Sequence, residues 1–195
     1  MKVAFGLKAH SGWAALIVLG SEDGEIVVVD RRRIELVEEE WQKQPYHPAE
    51  ELESNEARRV EGRGVKSAYK ISRKEISAAV KRAERVGHRV VGCGVLMGES
   101  MPDWTVAQIL AVHFRMHKAE GVLFREALAT GAEENKLKVI RVPEKELYEF
   151  AARLLGHSAL TLHAQVAALG KAIGPPWGRD QKDSAVAALI ALNSK

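Results

Sequence analysis

Apolar positions along the chain fall into two periodicities. In the first forty residues they come in short runs separated by Gly/Ser/Asp turns. Residues 2–7 are one run and residues 13–19 a second, bounded by Ser11-Gly12 and by Gly20-Ser21-Glu22-Asp23-Gly24. Residues 25–30 contain Ile26-Val27-Val28-Val29, the strongest β-branched run in the sequence. Three such strands with short turns predict an antiparallel meander. Residues 34–37 extend the third strand if Arg31, Arg32 and Arg33 lie at an edge or a bend, because a central strand would not tolerate them.

Beyond this meander the period lengthens. Residues 38–71 are the least regular part, with a helix predicted from Pro48 to about Val60 and broken by Gly62 and Gly64. Ser72 and Glu75 have capping-box spacing, followed by Ile76, Ala79, Val80 and Ala83 at helical intervals, with Gly87 as the stop. Residues 88–97 read as a fourth strand. Its glycines, Gly92 and Gly94, with Gly98 just beyond, predict close approach of a backbone or a ligand, or a bulge. A helix over 104–129 ended by Gly131, a fifth strand over 136–142, and helices over 143–155, 160–172 and 180–192 complete the order βββ-α-β-α-β-α-α-α. That order predicts a single α/β domain spanning residues 1–195. It has a mixed five-stranded sheet (three antiparallel strands, then β-α-β units), helices on both faces, and an irregular basic insert at about 38–71.

Composition narrows the class. The chain has 195 residues, 46% hydrophobic and 28% charged, which excludes a disordered or collagen-like chain. One cysteine, Cys93, excludes a disulfide framework. No apolar run reaches the ~20 residues of a membrane span, and the N-terminus reads as the start of the fold and not as a signal peptide. A reducing, cytoplasmic compartment is therefore expected. Net charge is +3, but residues 58–89 hold eleven Lys/Arg against three Glu, a local +8 that leaves −5 for the rest. Arg58, Arg59, Arg63, Lys66, Lys70, Arg73 and Lys74 surround Gly62, Gly64 and Tyr69, a pattern suited to gripping a nucleic-acid backbone and equally to a solvated basic face.

Several segments resemble the RuvC-type Holliday-junction resolvases of the ribonuclease H-like superfamily. They are residues 3–12, GHRVVGCGVLM at 87–97, KAEGVLFREAL at 118–128, PEKELYEFAARLLGHSALTLHAQV at 143–166 and KDSAVAALIAL at 182–192. The resemblance implies a ribonuclease H-like fold. It also implies a two-metal phosphodiesterase centre built from carboxylates of the first strand, the fourth strand and the last helix. At the first two positions this sequence places Lys8 and Cys93. Only the last helix keeps its acids, Asp183 and, one turn earlier, Asp180. No Asp or Glu occurs before Leu19 or between Arg85 and Gly98, so a small shift of register does not restore the set. An ammonium reverses the sign of such a site, and a buried thiol is a poor Mg²⁺ ligand.

Other constellations have blander uses beside their functional ones. His10-Ser11-Gly12 could cradle phosphate, but a plain hairpin turn explains it as well. His113, His117 and Glu120 share one helical face. Two His at i, i+4 can grip Zn²⁺, but the zincin glutamate is absent and the expectation is a polar stripe with no metal site. Cys93 is expected to be a small buried hydrophobe, with His88 facing away. Trp13 is expected in the core, and Trp41 and Trp177 as lids or as stacking platforms for bases. The reading is a catalytically inactive domain with a nucleic-acid-binding or scaffolding role and no cofactor. Two rivals remain. One is a divergent Mg²⁺- or Mn²⁺-dependent nuclease recruiting Asp180, Asp183 and an acid such as Glu99. The other is a homodimeric protein–protein module, with no membrane partner expected in any case.

Overall fold

In the computed structural model, which describes residues 1–194, the N-terminal runs form strands β1 (Lys2–His10), β2 (Trp13–Glu22) and β3 (Glu25–Glu35). They are followed by helix α1 (Ser54–Arg85), β4 (Arg89–Met97), α2 (Val106–Leu110), α3 (His113–Glu134) and β5 (Val139–Pro143). Helices α4 (Leu147–Leu155), α5 (Ala159–Ile173) and α6 (Arg179–Asn193) close the chain. The sheet order is β3-β2-β1-β4-β5, antiparallel within the meander and parallel from β1 through β5. This is the mixed five-stranded sheet, with helices on both faces, that the pattern predicts. The triple-Arg segment lies on edge strand β3, as its cost in a central strand requires.

Alternation along β1 sets the two layers. Val3, Phe5 and Leu7 face α1 and α3, with Cys93 and Val95 of β4 beside them. The other face packs on α6, α4 and α5 through Ile17, Leu19, Leu96 and Val142. Residues 185–191 of α6 are all buried and mostly small, so that helix lies low on the sheet. Its contact needs glycine beneath it. A Cβ on Gly6 would lie 1.8 Å from the Ser184 carbonyl oxygen, and one on Gly94 2.3 Å from that of Ala187. The strand glycines thus mark a close backbone approach, by a helix of the same chain.

Three boundaries differ from the sequence reading. Helix α1 runs unbroken for 32 residues through Gly62 and Gly64, so the expected irregular insert is regular from Ser54 onward; only residues up to 53 are built of short 3₁₀ turns. Burial of Ala57, Gly64, Ala68, Ile71, Ile76, Ala79 and Ala83 along one face outweighs the ~1 kcal/mol cost of each helical glycine. Gly64 is needed there, since its Cβ would lie 2.4 Å from Pro45. Ser72 is not a cap but a buried residue of α1 at its crossing with α3, where Gly131 lies against the Ser72–Arg73 backbone. Gly131 therefore belongs to the helix crossing and does not end the helix. The expected helix over 104–129 is two helices, separated at Ala111–Val112.

The two classes of glycine should respond oppositely to alanine. Gly94→Ala is expected to lower stability by about 2–3 kcal/mol, because α6 must lift off the sheet. Gly62→Ala, with open space around its Cβ position, is expected to raise stability by about 0.5–1 kcal/mol. Denaturant unfolding of both variants measures this, and equal effects would contradict the assigned contacts.

Candidate functional site

Lys8 is the second-last side chain of β1 on the α6 face, where the strand runs out at the C-terminal edge of the parallel half of the sheet. Parallel sheets commonly place their functional groups at this edge. Three acids reach it there. The Lys8 Nζ donates to Asp183 Oδ2 at 2.7 Å and lies 3.3 Å from both Asp180 Oδ1 and Glu144 Oε1. Asp180 and Asp183 are one turn apart on α6 and so share a face. Glu144 follows the last residue of β5, held by its N–H donating to the Met97 carbonyl at 2.8 Å.

The acids are further neutralised from outside. Arg125 of α3 donates to Glu144 at 3.0 Å, and the exposed Arg179 lies 3.6 Å from Asp183. His10 Nε2 is 3.1 Å from Asp180 Oδ2, without the alignment of a hydrogen bond. The His10 ring stacks on Trp13 at 4.2 Å, and the Arg33 guanidinium lies 4.1 Å from the same indole. Trp13 is thus a half-buried platform at the rim and not a core residue. Burial opposes the charge on Lys8, but the Asp183 hydrogen bond and the charges of Asp183 and Glu144 outweigh it. The result is a pKa above the ordinary 10.5. Lys8 is therefore a fixed cation, unsuited to act as nucleophile or base.

Three carboxylates facing one lysine, with two arginines behind them, leave no surplus negative charge for a pair of divalent ions. The ammonium also fills the point on which the acids converge. The donor set does not fit a two-metal centre.

The remaining candidates are dispersed. Cys93 faces the α1–α3 layer, away from Lys8, and burial pushes its thiol up to about 12. The β4 residue on the Lys8 side is instead Leu96, also not an acid. Glu99 is exposed and pairs with Lys145, not with the cluster. The acid that completes the triad, Glu144, was missed because Pro143 reads as a helix start. An acid directly after a parallel strand was the available signal. Ser11-Gly12 is a hairpin turn with Gly12 at φ +81°. Trp177 packs over Gly170 with its Nε1 donating to the Val166 carbonyl, and Trp41 donates to Glu39.

Arg58, Arg59, Arg63, Lys66, Lys70, Arg73 and Lys74 are all exposed, on the face of α1 opposite its buried stripe. Lys81, Arg82 and Arg85 continue them along a cleft of about 640 Å³. From Arg59 to Lys81 this stripe is roughly 33 Å long at the helical rise. It lies on the far side of the sheet from Lys8.

No family model matches the sequence, and no curated protein does. Solved structures match the fold. Thermus thermophilus RuvC superposes with a TM-score of 0.50 over 96% of this chain and 92% of its own, at 11% identity. The same enzyme in complex with a Holliday junction substrate gives 0.50 over 97% and 92%, at 10%. The yeast mitochondrial Holliday junction resolvase Ydc2 covers 97% and 78% at 12% identity, with a TM-score of 0.42. The fold is ribonuclease H-like, of the RuvC type.

Replacing Lys8 by methionine leaves three converging carboxylates without their central charge and is expected to cost about 3 kcal/mol at neutral pH. The folded-state pKa of Lys8 is raised, so its contribution is fully present below pH 10.5 and is lost as pH rises through the folded value. Denaturant titrations of wild type and Lys8→Met should therefore differ by a constant amount from neutral pH up to 10.5, where the three acids stay ionised, and converge above the raised folded value.

Proposed function

We propose that this chain is a non-catalytic ribonuclease H-like domain that binds nucleic acid through the basic face of α1, in a reducing cytoplasmic setting. The observation that carries the inactive reading is Lys8 Nζ within 2.7–3.3 Å of Asp183, Asp180 and Glu144. Where a phosphodiesterase of this fold would use hard dications to polarise phosphate and water, this chain supplies one tethered monocation. An ammonium has three N–H donors, and three acids face them. It has no open coordination position for a phosphate oxygen.

The binding reading rests on charge and shape. A stripe of exposed Lys and Arg along a straight helix presents cations at spacings a polyanion can follow. The Thermus RuvC that shares this fold is solved with a Holliday junction, which makes nucleic acid the first class of polyanion to test. Because the stripe and the Lys8 cluster lie on opposite sides of the sheet, a ligand on α1 need not pass the acids. Binding and cleavage are thereby separable.

Two experiments test the proposal. Branched and linear DNA should bind with an affinity that falls steeply with salt, and no cleavage should appear with Mg²⁺ or Mn²⁺. Arg59→Glu and Lys66→Glu should each weaken binding and reduce the salt slope by about 1. Cleavage abolished by Asp183→Asn would establish the nuclease instead, and a stable dimer without nucleic-acid binding would establish an interaction module. The second experiment restores an acid. Lys8→Asp is expected to be unstable in chelator and stabilised by millimolar Mg²⁺, while the melting temperature of wild type stays flat. An equal Mg²⁺ response in wild type would show that Lys8 does not block the site.

A further inference from the structure

A second cluster lies where α3 begins. His113 and His117 are one turn apart on α3, and His47 is brought to them by the 3₁₀ turn His47–Ala49. One ring nitrogen from each lies within 4.8 Å of the other two. The Nε2 atoms of His113 and His117 are 3.1 Å apart, and His47 has its ring centre 5.3 and 4.9 Å from theirs. Two imidazole nitrogens on a tetrahedral ion at 2.0–2.1 Å are separated by about 3.3–3.4 Å, so the pair already has close to the bite of a metal chelate.

Glu120 supports the cluster from behind. It is buried, 2% exposed, one turn beyond His117. Its Oε1 is 2.9 Å from His47 Nδ1 and accepts the Tyr46 N–H at 3.3 Å, while Oε2 is 3.8 Å from His117 Nδ1. A carboxylate only accepts, so a neutral His47 that donates from Nδ1 keeps its Nε2 lone pair available as a ligand. His117 Nδ1 lies only at ion-pair distance from Oε2, and its Nε2 is the atom facing His113. This carboxylate–histidine arrangement is the one that orients imidazoles toward a metal. Among the described residues the ion-pair partners of this buried acid are imidazoles alone.

We propose that His47, His113 and His117 bind one zinc-class divalent ion, with Glu120 as the acid that positions His47 and His117. An all-imidazole set favours Zn²⁺, Co²⁺, Ni²⁺ or Cu²⁺ over Mg²⁺. His113 and His117 are exposed, so the fourth coordination position faces solvent. The ion clips the 3₁₀ turns to the start of α3, next to the small apolar cluster of Tyr46, Ile109, Met116 and Ala119. This site is separate from Lys8 and independent of any nucleic-acid role.

The test is Zn²⁺ titration by calorimetry into chelator-treated full-length protein, with Co²⁺ absorption as the geometric readout. Expected are one ion per chain, tetrahedral Co²⁺ bands, and a melting temperature that rises with Zn²⁺. His113→Ala and His47→Gln should each abolish the bands and the thermal shift. Glu120→Gln should keep a single site with affinity reduced about 10–100-fold. His113 and His117 are exposed, so circular dichroism should show their variants folded. Absence of saturable one-to-one binding overturns the proposal. Binding that survives His113→Ala overturns it as well. Binding lost in His113→Ala but unchanged in His47→Gln would reduce the site to a surface histidine pair and overturn it too.

Discussion

Three carboxylates brought within reach of one point demand a positive charge there, and the chain supplies it from its own first strand. A metal ion would meet the same demand from solution, with vacant positions left for water or phosphate. The lysine meets it permanently and with nothing left over. Its ammonium is buried, hydrogen-bonded and held protonated by its neighbours. The N-terminal strand, the end of β5 and the start of α6 are thereby joined at a single atom. Elements distant in sequence converge on a contact that is structural in its consequences, whatever chemistry the fold performs elsewhere.

That contact depends on how low α6 lies. Gly6 and Gly94 remove the side chains that would hold the helix off, and the run of small residues from Ala185 to Ala191 does the same from the other side. The acids of α6 therefore reach Lys8 at hydrogen-bond length and not across a layer of solvent. Backbone packing sets the electrostatics: the same acids a few ångströms higher would be hydrated and only weakly coupled to the lysine.

The fold was largely legible because its signals are local. Strand runs, Gly/Asp turns and the order of elements read directly from the sequence, and the glycines of β4 announced the close approach that α6 makes. The errors came where tertiary burial overrides a local rule. Gly62, Gly64, Ser72 and Gly131 carry the marks of helix ends, yet all sit inside helices whose buried stripes outweigh those marks. At the site, Lys8, Asp180 and Asp183 came from the resemblance, and the structure brings the three together. Glu144 was missed, because Pro143 before it reads as a helix start and hides that the acid directly follows a strand of the parallel half. Cys93 entered through the resemblance alone, and its pairing with Phe5 puts its side chain on the α1–α3 face, opposite to Lys8. His47 is 66 residues from His113, and only the folded chain shows that they meet.

The two borders of the sheet have a further consequence. β3 presents Asp30, Arg31, Arg32 and Arg33 along its open side, and Arg31 is engaged with the carbonyls of Gly174, Pro175 and Pro176. β5 is five residues long and ends in proline. Charge on one border and brevity on the other both discourage another chain from adding a strand. Self-association by sheet continuation is disfavoured at each end, so a second molecule meeting this one would be met by helices.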